Sequence, residues 1–278
     1  MAIGVTLVAV VIVRVLTEPL RRLAAAADTI GQTTAPRLVA EDGPTEVQHV
    51  ASAFNRMQRR IHHLVEDRTQ ALAAVSHDLR TPITRLRLRA GFLADREMQA
   101  KIDADLDEME SMISATLTYL SGDSSAEERR TINVAATLET LVGEAVDAGH
   151  VATYAGPPHV PIDVRPVALK RALTNLISNA IKHGGSAAVE LRISDDTAII
   201  SISDEGPGIP AELIERAFEP FVRLDQSRNR ETGGAGLGLT IARQAIAAEG
   251  GDLTLHNRPT GGLIATVSLA LHAKSTPP

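Results

Sequence analysis

The chain has 278 residues, a formal net charge of −6 at pH 7 and no cysteine. This length is enough for two or three modest domains. The acidic balance, without a basic patch interleaved with aromatic residues, argues against direct nucleic-acid binding. The lack of cysteine excludes disulfides and thiolate metal sites.

Residues 1–16 are apolar apart from Arg14, but they are fewer than the roughly 20 residues that span a bilayer. We interpret them as the C-terminal part of a transmembrane helix. The Arg14 side chain would reach the membrane surface, and Arg21 and Arg22 would mark the cytoplasmic side. A signal peptide cleaved near the alanines at 25–27 and a buried core helix are the alternative interpretations.

Residues 17–69 are predicted to form two short amphipathic helices joined by an extended connector. The first begins near Pro19 and ends at Gly31, and the second begins at Glu46. Apolar residues recur at steps of three and four, at Leu20, Leu23, Ala24, Ala27 and Ile30 and then at Val47, Val50, Phe54, Met57, Ile61 and Leu64. Helices this short are not stable alone, so we expect them to pack in a dimer.

The next helix carries a histidine on the face opposite its apolar seam. The seam consists of Leu72, Val75, Leu79, Ile83, Leu86, Ala90 and Leu93. At about 100° per residue, His77 points away from this seam, and Thr81 follows one turn later on the His77 face. Pro82 cannot donate to the carbonyl of Asp78, so we expect a bend there. An exposed imidazole beside a carboxylate suits a nucleophile that another domain must reach.

A partner helix is predicted after a turn at residues 94–96. Its apolar residues are Ile102, Leu106, Met109, Ile113, Leu117 and Leu120. Two such hairpins would form a four-helix bundle in a dimer. The outer face of the partner helix is acidic and that of the His77 helix is basic. Charged faces of this kind are most often simply exposed to solvent. Residues 121–125 are rich in serine and glycine and indicate a linker.

From Thr131 the pattern changes to mixed α/β structure. Helices are predicted from Val134 to Ala145, from Val167 to His183 and from Leu239 to Ala248. Strands are predicted at 188–193 and 198–202, and a hairpin joins 252–256 to 263–267 through Gly261 and Gly262.

Three stretches of this α/β region are candidates for a nucleotide site. Asn175 and Asn179 are four residues apart, off the buried stripe of their helix. Asp204, Gly206 and Gly208 directly follow an apolar strand. Residues 233–239 are glycine-rich and run into a helix, where backbone N–H groups and the helix dipole favour phosphate. Each stretch alone is also compatible with a polar helix face or a plain turn.

The histidine run at 76–88, which begins Ser-His-Asp-Leu-Arg-Thr-Pro, resembles the phosphoacceptor box of EnvZ-like sensor histidine kinases. The placement of Pro19, Glu46 and the run Ala-Phe-Asn-Arg-Met at 53–57 resembles a HAMP relay domain. This resemblance implies that His77 accepts a phosphoryl group, that Asp78 is its base and orienter, and that Thr81 can position water for dephosphorylation. It also implies a homodimer.

Residues 175–184 resemble the asparagine box of the ATP-binding domain shared by histidine kinases, gyrase and Hsp90, and residues 218–223 resemble its phenylalanine box. By that resemblance Asn179 is the main Mg²⁺ ligand with Asn175 close by, and Asp204 accepts from the adenine amino group. Arg223 reaches the γ-phosphate, and Arg228 or Arg230 is a second lid arginine. The remaining ATP-binding residues implied by these boxes are Lys182, His183, Gly206, Gly208, Gly234, Gly236, Leu237 and Gly238.

The resemblance thus implies a multidomain fold, helical at first and then α+β. The expected domains are a membrane helix at 1–16, a HAMP domain at 17–69, a dimerisation and phosphotransfer domain at 70–122 and an α/β-sandwich ATP-binding domain at 130–272. The implied activity is ATP-dependent autophosphorylation of His77 and transfer to an aspartate of an OmpR-type response regulator. The implied location is the bacterial inner membrane, with the catalytic domains in the cytoplasm.

Two other functions fit parts of this pattern. A catalytically silent, nucleotide-binding dimeric scaffold would be indicated by loss of His77, Asn179 or Asp204, and all three are present. An ATP-driven clamp like gyrase or Hsp90 would carry a catalytic glutamate where this chain has Asn175, and would have no phosphoacceptor helix.

Overall fold

The computed structural model describes residues 3, 17, 21, 23–24, 38–93, 95–121, 127–223 and 235–271. The chain divides into two compact units, Met1–Val75 and Ser76–Pro278. The predicted membrane helix, most of the first amphipathic helix and the linker at 122–125 lie outside the described residues. Within the described part of the chain, no helix is long and apolar enough to cross a membrane.

The first long helix, α1, spans Thr45–Ala90 and passes through Pro82 without interruption. It begins one residue before the predicted start. In the first unit, the connector before α1 is held by the buried side chain of Asn55, which accepts from the Val39 N–H and donates to the Val39 carbonyl, both at 2.9 Å. Met57 and Leu64 of the predicted stripe remain exposed in the single chain.

The second helix, α2, spans Arg96–Ser121 and is capped by Asp95. The Asp95 Oδ1 atom accepts from the Glu97 and Met98 N–H groups at 3.0 and 3.1 Å. Ile83 and Ala90 of α1 and Leu106 of α2 are buried, whereas the seam residues Leu79, Leu86 and Met109 are exposed. Arg87 pairs with Asp107 at 2.7 Å, so the charged faces are not only solvated. Such exposed pairs contribute little to stability.

The α/β region follows, with strands and helices in this order: β1 (Arg130–Asn133), α3 (Val134–Asp147), β2 (Val151–Ala155), β3 (Pro161–Val164), α4 (Pro166–Gly184), β4 (Ser186–Ser194), β5 (Thr197–Ser203), α5 (Gly238–Ala248), β6 (Asp252–Asn257) and β7 (Leu263–Ala270). Two short 3₁₀ helices, Ala211–Leu213 and Glu215–Phe218, lie between β5 and α5. The predicted helices and the β4, β5 and β6–β7 strands are confirmed. The strands β1, β2 and β3 were not predicted.

Among the described residues, β2, β4, β5, β7 and β6 form one sheet in that order, and β1 pairs with β3 separately. The β2–β4 pair is parallel and the other neighbours are antiparallel. Alternate residues of β4, β5 and β7 are buried against the helices, which gives a two-layer core of Ile, Leu, Val and Ala. The fold is therefore a helical region followed by an α/β domain with a mixed sheet, as the sequence predicted.

Candidate functional site

His77 lies on α1 with its side chain 81% exposed. Its Nδ1 atom is 3.5 Å from Asp78 Oδ1, the outer limit for a hydrogen bond. Thr81, one turn later, is also exposed. The structure therefore places an accessible imidazole beside a carboxylate, with the second ring nitrogen facing away from that carboxylate.

Helix α4 positions the two candidate asparagines. Pro166 opens the helix, and Gly185 ends it in the left-handed conformation with its N–H bonded to the Ile181 carbonyl. Its buried stripe of Leu169, Leu173, Leu176 and Ala180 faces the core. Asn175 and Asn179 lie together beside this stripe and are half-exposed. The helix thus presents two amide side chains to one side of the sheet domain.

Asp204 directly follows β5 and is buried, with 7% of its surface exposed. Its Oδ1 atom accepts from the Gly206 N–H at 2.8 Å and from the Leu263 N–H at 3.1 Å. A Cβ at Gly184 would collide with the Asp204 side chain, and a Cβ at Gly206 would lie 2.7 Å from the His183 carbonyl oxygen. The C-terminus of α4 therefore lies against the Asp204 loop, and glycine is needed on both sides of the contact.

The β6–β7 hairpin holds the same loop from the other side. The Arg258 Nη1 atom donates to the Asp204 carbonyl at 2.7 Å. The Asn257 side chain accepts from the Ile209 N–H at 2.9 Å and donates to the Ile209 carbonyl at 2.6 Å. Gly208 has φ +74°, and a Cβ there would lie 2.6 Å from Asn257 Oδ1. Neither Asn257 nor Arg258 was singled out from the sequence.

The phenylalanine and glycine stretches meet at the start of α5. The Phe221 N–H donates to the Gly236 carbonyl at 3.1 Å, and Thr240 Oγ1 donates to the Phe218 carbonyl at 2.9 Å. Gly236 has φ +68°, and a Cβ there would lie 2.9 Å from the Val222 carbonyl oxygen. Leu237 is buried below this turn. A Cβ at Gly238 would lie 4.0 Å from Asn175 Cβ, so the start of α5 adjoins the asparagine face.

Lys182, Glu108 and Arg223 interact electrostatically near this face. Burial lowers the pKa of the Lys182 ammonium, the Glu108 carboxylate partly offsets this by raising it, and the Arg223 guanidinium lowers it further. Lys182 and Arg223 therefore lie within electrostatic range of each other, and both are exposed. The two cations make this edge of the site attractive to an anionic group.

The structure brings together the end of α4, the Asp204 loop, the Phe221 segment and the start of α5. The predicted residues Gly234, Arg228 and Arg230 lie outside the described residues. The described part of the chain holds no group of three or more His, Cys, Asp or Glu side chains that could bind a metal. The metal ligands available here are amide oxygens, which suit a hard cation such as Mg²⁺ that keeps several waters.

Three protein-family models match the chain in order. They are the HAMP domain at residues 11–63, the His Kinase A (phospho-acceptor) domain at 67–125 and the histidine kinase-, DNA gyrase B- and HSP90-like ATPase at 164–273. The chain thus carries these three domains in the order that its resemblance to the EnvZ-like sensor histidine kinases implied.

Individual relatives agree with this assignment. The chain is 37% identical over 254 residues to the sensor histidine kinase GtrS of Pseudomonas aeruginosa, covering 91% of this chain and 52% of the relative. It is 32% identical to the sensor histidine kinase CpxA of Escherichia coli, covering 94% and 60%, and 31% identical to the E. coli sensor protein RstB, covering 88% and 58%. The chain thus spans about half to three-fifths of these relatives.

Solved structures share the fold. Full-length ShkA in complex with AMPPNP has a TM-score of 0.57 at 23% identity, covering 72% of this chain and 45% of ShkA. The Acinetobacter baumannii histidine kinase AdeS has a TM-score of 0.50 at 23% identity, covering 70% of this chain and 98% of AdeS. At these identities the likeness concerns the fold alone.

Proposed function

We propose that this chain is an ATP-dependent protein-histidine kinase that phosphorylates itself at His77. The observation that carries the proposal is the convergence of α4, the Asp204 loop and the Gly236 turn on one site, in a chain whose α1 exposes a histidine. The sensor histidine kinases GtrS and CpxA, similar over nine-tenths of this chain, support the same activity.

In this proposal Asp204 selects adenine. Its Oδ1 atom is held by two backbone N–H groups, which leaves Oδ2 to accept from the exocyclic amino group of the base. Gly206 and Gly208 let the backbone approach the base closely. Lys182, His183 and Arg223 would bind the phosphate groups, with either Arg228 or Arg230 as a second lid arginine. The glycine-rich residues Gly234, Gly236, Leu237 and Gly238 would contribute to the same phosphate site.

The asparagine pair fits a magnesium ion. Asn179 would be the main ligand and Asn175 the second, both through side-chain oxygens, and the ion would neutralise phosphate charge. Both residues lie within α4, and Asn175 adjoins the start of α5 at Gly238. Asn179→Asp would change ligand charge without removing helix contacts, and we expect it to abolish labelling while the fold is retained.

His77 is the nucleophile in the proposed reaction. Its Nδ1 atom faces Asp78, which would hold the N–H there and leave Nε2 free. The Nε2 lone pair forms a bond to the γ-phosphorus while the bond to the bridging oxygen breaks, so ADP leaves with that oxygen. The phosphoryl group then passes to an aspartate carboxylate of a response regulator, which we propose to be of the OmpR type.

The direct test is labelling with ATP carrying a radioactive γ-phosphate. His77→Gln should abolish label, whereas the control His63→Gln, on the same helix and also exposed, should retain it. The label should be stable in alkali and lost in acid, as expected for phosphoimidazole. Persistent label in His77→Gln would reject His77 as the acceptor.

We also propose a phosphatase activity that depends on Thr81. This residue shares the exposed face of His77 but has no role in attack on ATP. Thr81→Ala should therefore autophosphorylate at close to the wild-type rate and lose most dephosphorylation of the phosphorylated regulator. Parallel loss of both activities would mean that Thr81 supports the helix instead of positioning water.

We further propose that the protein acts as a homodimer at the bacterial inner membrane. Residues 1–16 would form part of a membrane helix, 17–69 the HAMP domain, 70–122 the dimerisation and phosphotransfer domain and 130–272 the ATP-binding domain, with the catalytic domains in the cytoplasm. The HAMP match and the similarity to the sensor histidine kinase CpxA support this arrangement.

A further inference from the structure

The face of α4 that carries the nucleotide residues also contacts the phosphoacceptor hairpin. Arg171, Asn175 and Asn179 are spaced four apart, so they lie on one face of α4, and Lys182 continues it. The Arg171 Nη1 atom donates to Thr118 Oγ1 of α2 at 3.3 Å. Helix α2 therefore reaches the beginning of this face.

Helix α2 also reaches the other end of the face. Glu108 lies ten residues before Thr118 on α2. Its carboxylate is close enough to Lys182 to raise the pKa of the Lys182 ammonium group. From Arg171 to Lys182 is about 16 Å along α4, and from Thr118 back to Glu108 is about 15 Å along α2, at 1.5 Å per residue. The contacts run forward along α4 and backward along α2, so the C-terminal half of α2 lies antiparallel to this face of α4.

A third contact joins the same two parts of the molecule. The Tyr119 ring of α2 lies edge-on to the Phe221 ring, with centroids 6.0 Å apart. Glu108 and Tyr119 are eleven residues apart, so they lie on one face of α2. Phe221 is bonded through its backbone to Gly236 and precedes Arg223 by two residues. The docked face of α2 thus contacts the phenylalanine stretch as well as α4.

We propose that Glu108 competes with the phosphate groups of a bound nucleotide for the cations of this site. A carboxylate and a phosphate offer the same anionic oxygens to Lys182 and Arg223, and the two groups cannot both be satisfied there. Nucleotide binding and the docking of α2 on α4 then oppose each other. Nucleotide affinity is therefore lower while the hairpin is docked and higher once the hairpin separates from α4. This inference rests on the proposed function of the site.

The first experiment measures nucleotide affinity by calorimetric titration with ATP and Mg²⁺ in the intact chain. Glu108→Gln should bind about two to five times more tightly than wild type, the range expected from one partly exposed ion pair. Asp105→Asn removes the same charge one turn away on the exposed side of α2 and should leave affinity unchanged. Equal affinities for Glu108→Gln and wild type, or an equal gain in Asp105→Asn, would overturn the competition.

The second experiment measures docking itself. Because the chain has no cysteine, Thr118→Cys with Arg171→Cys introduces the only thiol pair, which a short bis-maleimide can join. Cross-linking should be efficient without nucleotide and should fall when ATP and Mg²⁺ are added. If the chain binds nucleotide but the cross-linking yield stays the same, the competition is rejected and the proposed function is not. A wild-type chain that binds no nucleotide would reject the proposed function and the competition with it.

Discussion

At the scale of single residues, the site depends on how a buried carboxylate is kept in place. Asp204 is buried, and a carboxylate in that position is costly unless it is hydrogen-bonded. Two backbone N–H groups satisfy its Oδ1 atom, and Arg258 holds its carbonyl. The end of α4 lies directly beside this side chain, so a Cβ at Gly184 would collide with it. The position of Asp204 therefore depends on the absence of a side chain at Gly184.

This dependence predicts the effect of Gly184→Ala. The added methyl group would collide with Asp204, so we expect a loss of about 1–3 kcal/mol in the free energy of unfolding and weaker nucleotide binding. Gly143→Ala is the control, because Gly143 lies within α3 and a Cβ there meets nothing within 4 Å. That change should stabilise the domain by about 0.5–1 kcal/mol. Urea unfolding measures both, and similar values for the two variants would contradict the packing argument.

The sequence predicted the position of Asp204 but not what holds it. The Asp-x-Gly-x-Gly spacing after an apolar strand is a local signal that can be read directly. Asn257 and Leu263 are 48 and 59 residues from the groups they bind, so only the paired β-strands bring them to the loop. An asparagine at a strand end has no local pattern that distinguishes it from an ordinary turn residue.

At the scale of secondary-structure elements, α1 links the predicted relay domain to the histidine. Its apolar stripes end at Ile61 and Leu64 and resume at Leu72, Val75 and Leu79. Linking them through position 68 gives two successive steps of four, hence a stutter in a heptad pattern. A stutter requires both stripes to lie on one helix, and α1 is continuous from Thr45 to Ala90. This pattern predicts Arg68 at the inserted core position, where we expect a charge to weaken packing between helices. We propose that this layer is a two-state element able to rotate His77.

Arg68→Leu tests this element. A leucine should stabilise one packing of the coil and fix the ratio of kinase to phosphatase activity, so that the upstream signal no longer changes it. Arg60→Leu makes the same substitution on the exposed surface of α1, outside the stripe, and should leave the ratio responsive. Deleting four residues between Leu64 and Leu72 should restore the heptad and act like Arg68→Leu. Wild-type response in both the leucine and the deletion variant would show that the stutter is not a switch.

The elements that the sequence did not predict are the short ones. Strand β2 has five residues between Gly149 and Gly156, and β3 has four. An alternating pattern is too brief to recognise over such lengths, and both strands form through distant pairing, β2 with β4 and β3 with β1. The long helices and the β6–β7 hairpin carry several periods of their pattern or a diagnostic glycine pair, and these were predicted correctly.

At the scale of the whole molecule, the single chain leaves its helical seam incomplete. Ile83 of α1 and Leu106 of α2 are only 2% and 4% exposed. Leu79, Leu86 and Met109 belong to the same stripes and are exposed. A second copy of the hairpin would cover these side chains and supply the burial that the single hairpin lacks. The proposed dimer is therefore the state in which the predicted seam is satisfied.

Two leucines of α1 allow a matched test of the dimer. Leu86 lies on the seam and is 47% exposed, whereas Leu88 lies two residues away on another face and is 64% exposed. Leu86→Glu would place a charge in the interface, where burial without a partner is costly, so the dimer dissociation constant should rise by at least about tenfold. Leu88→Glu adds the same charge to solvent and should leave the dimer intact. Analytical ultracentrifugation over a range of concentrations measures both constants.

Because Leu86 is half-exposed in the single hairpin, circular dichroism should show unchanged helix content, which separates lost association from unfolding. A Leu86→Glu chain as dimeric as the Leu88→Glu chain would place the dimer interface elsewhere on the molecule.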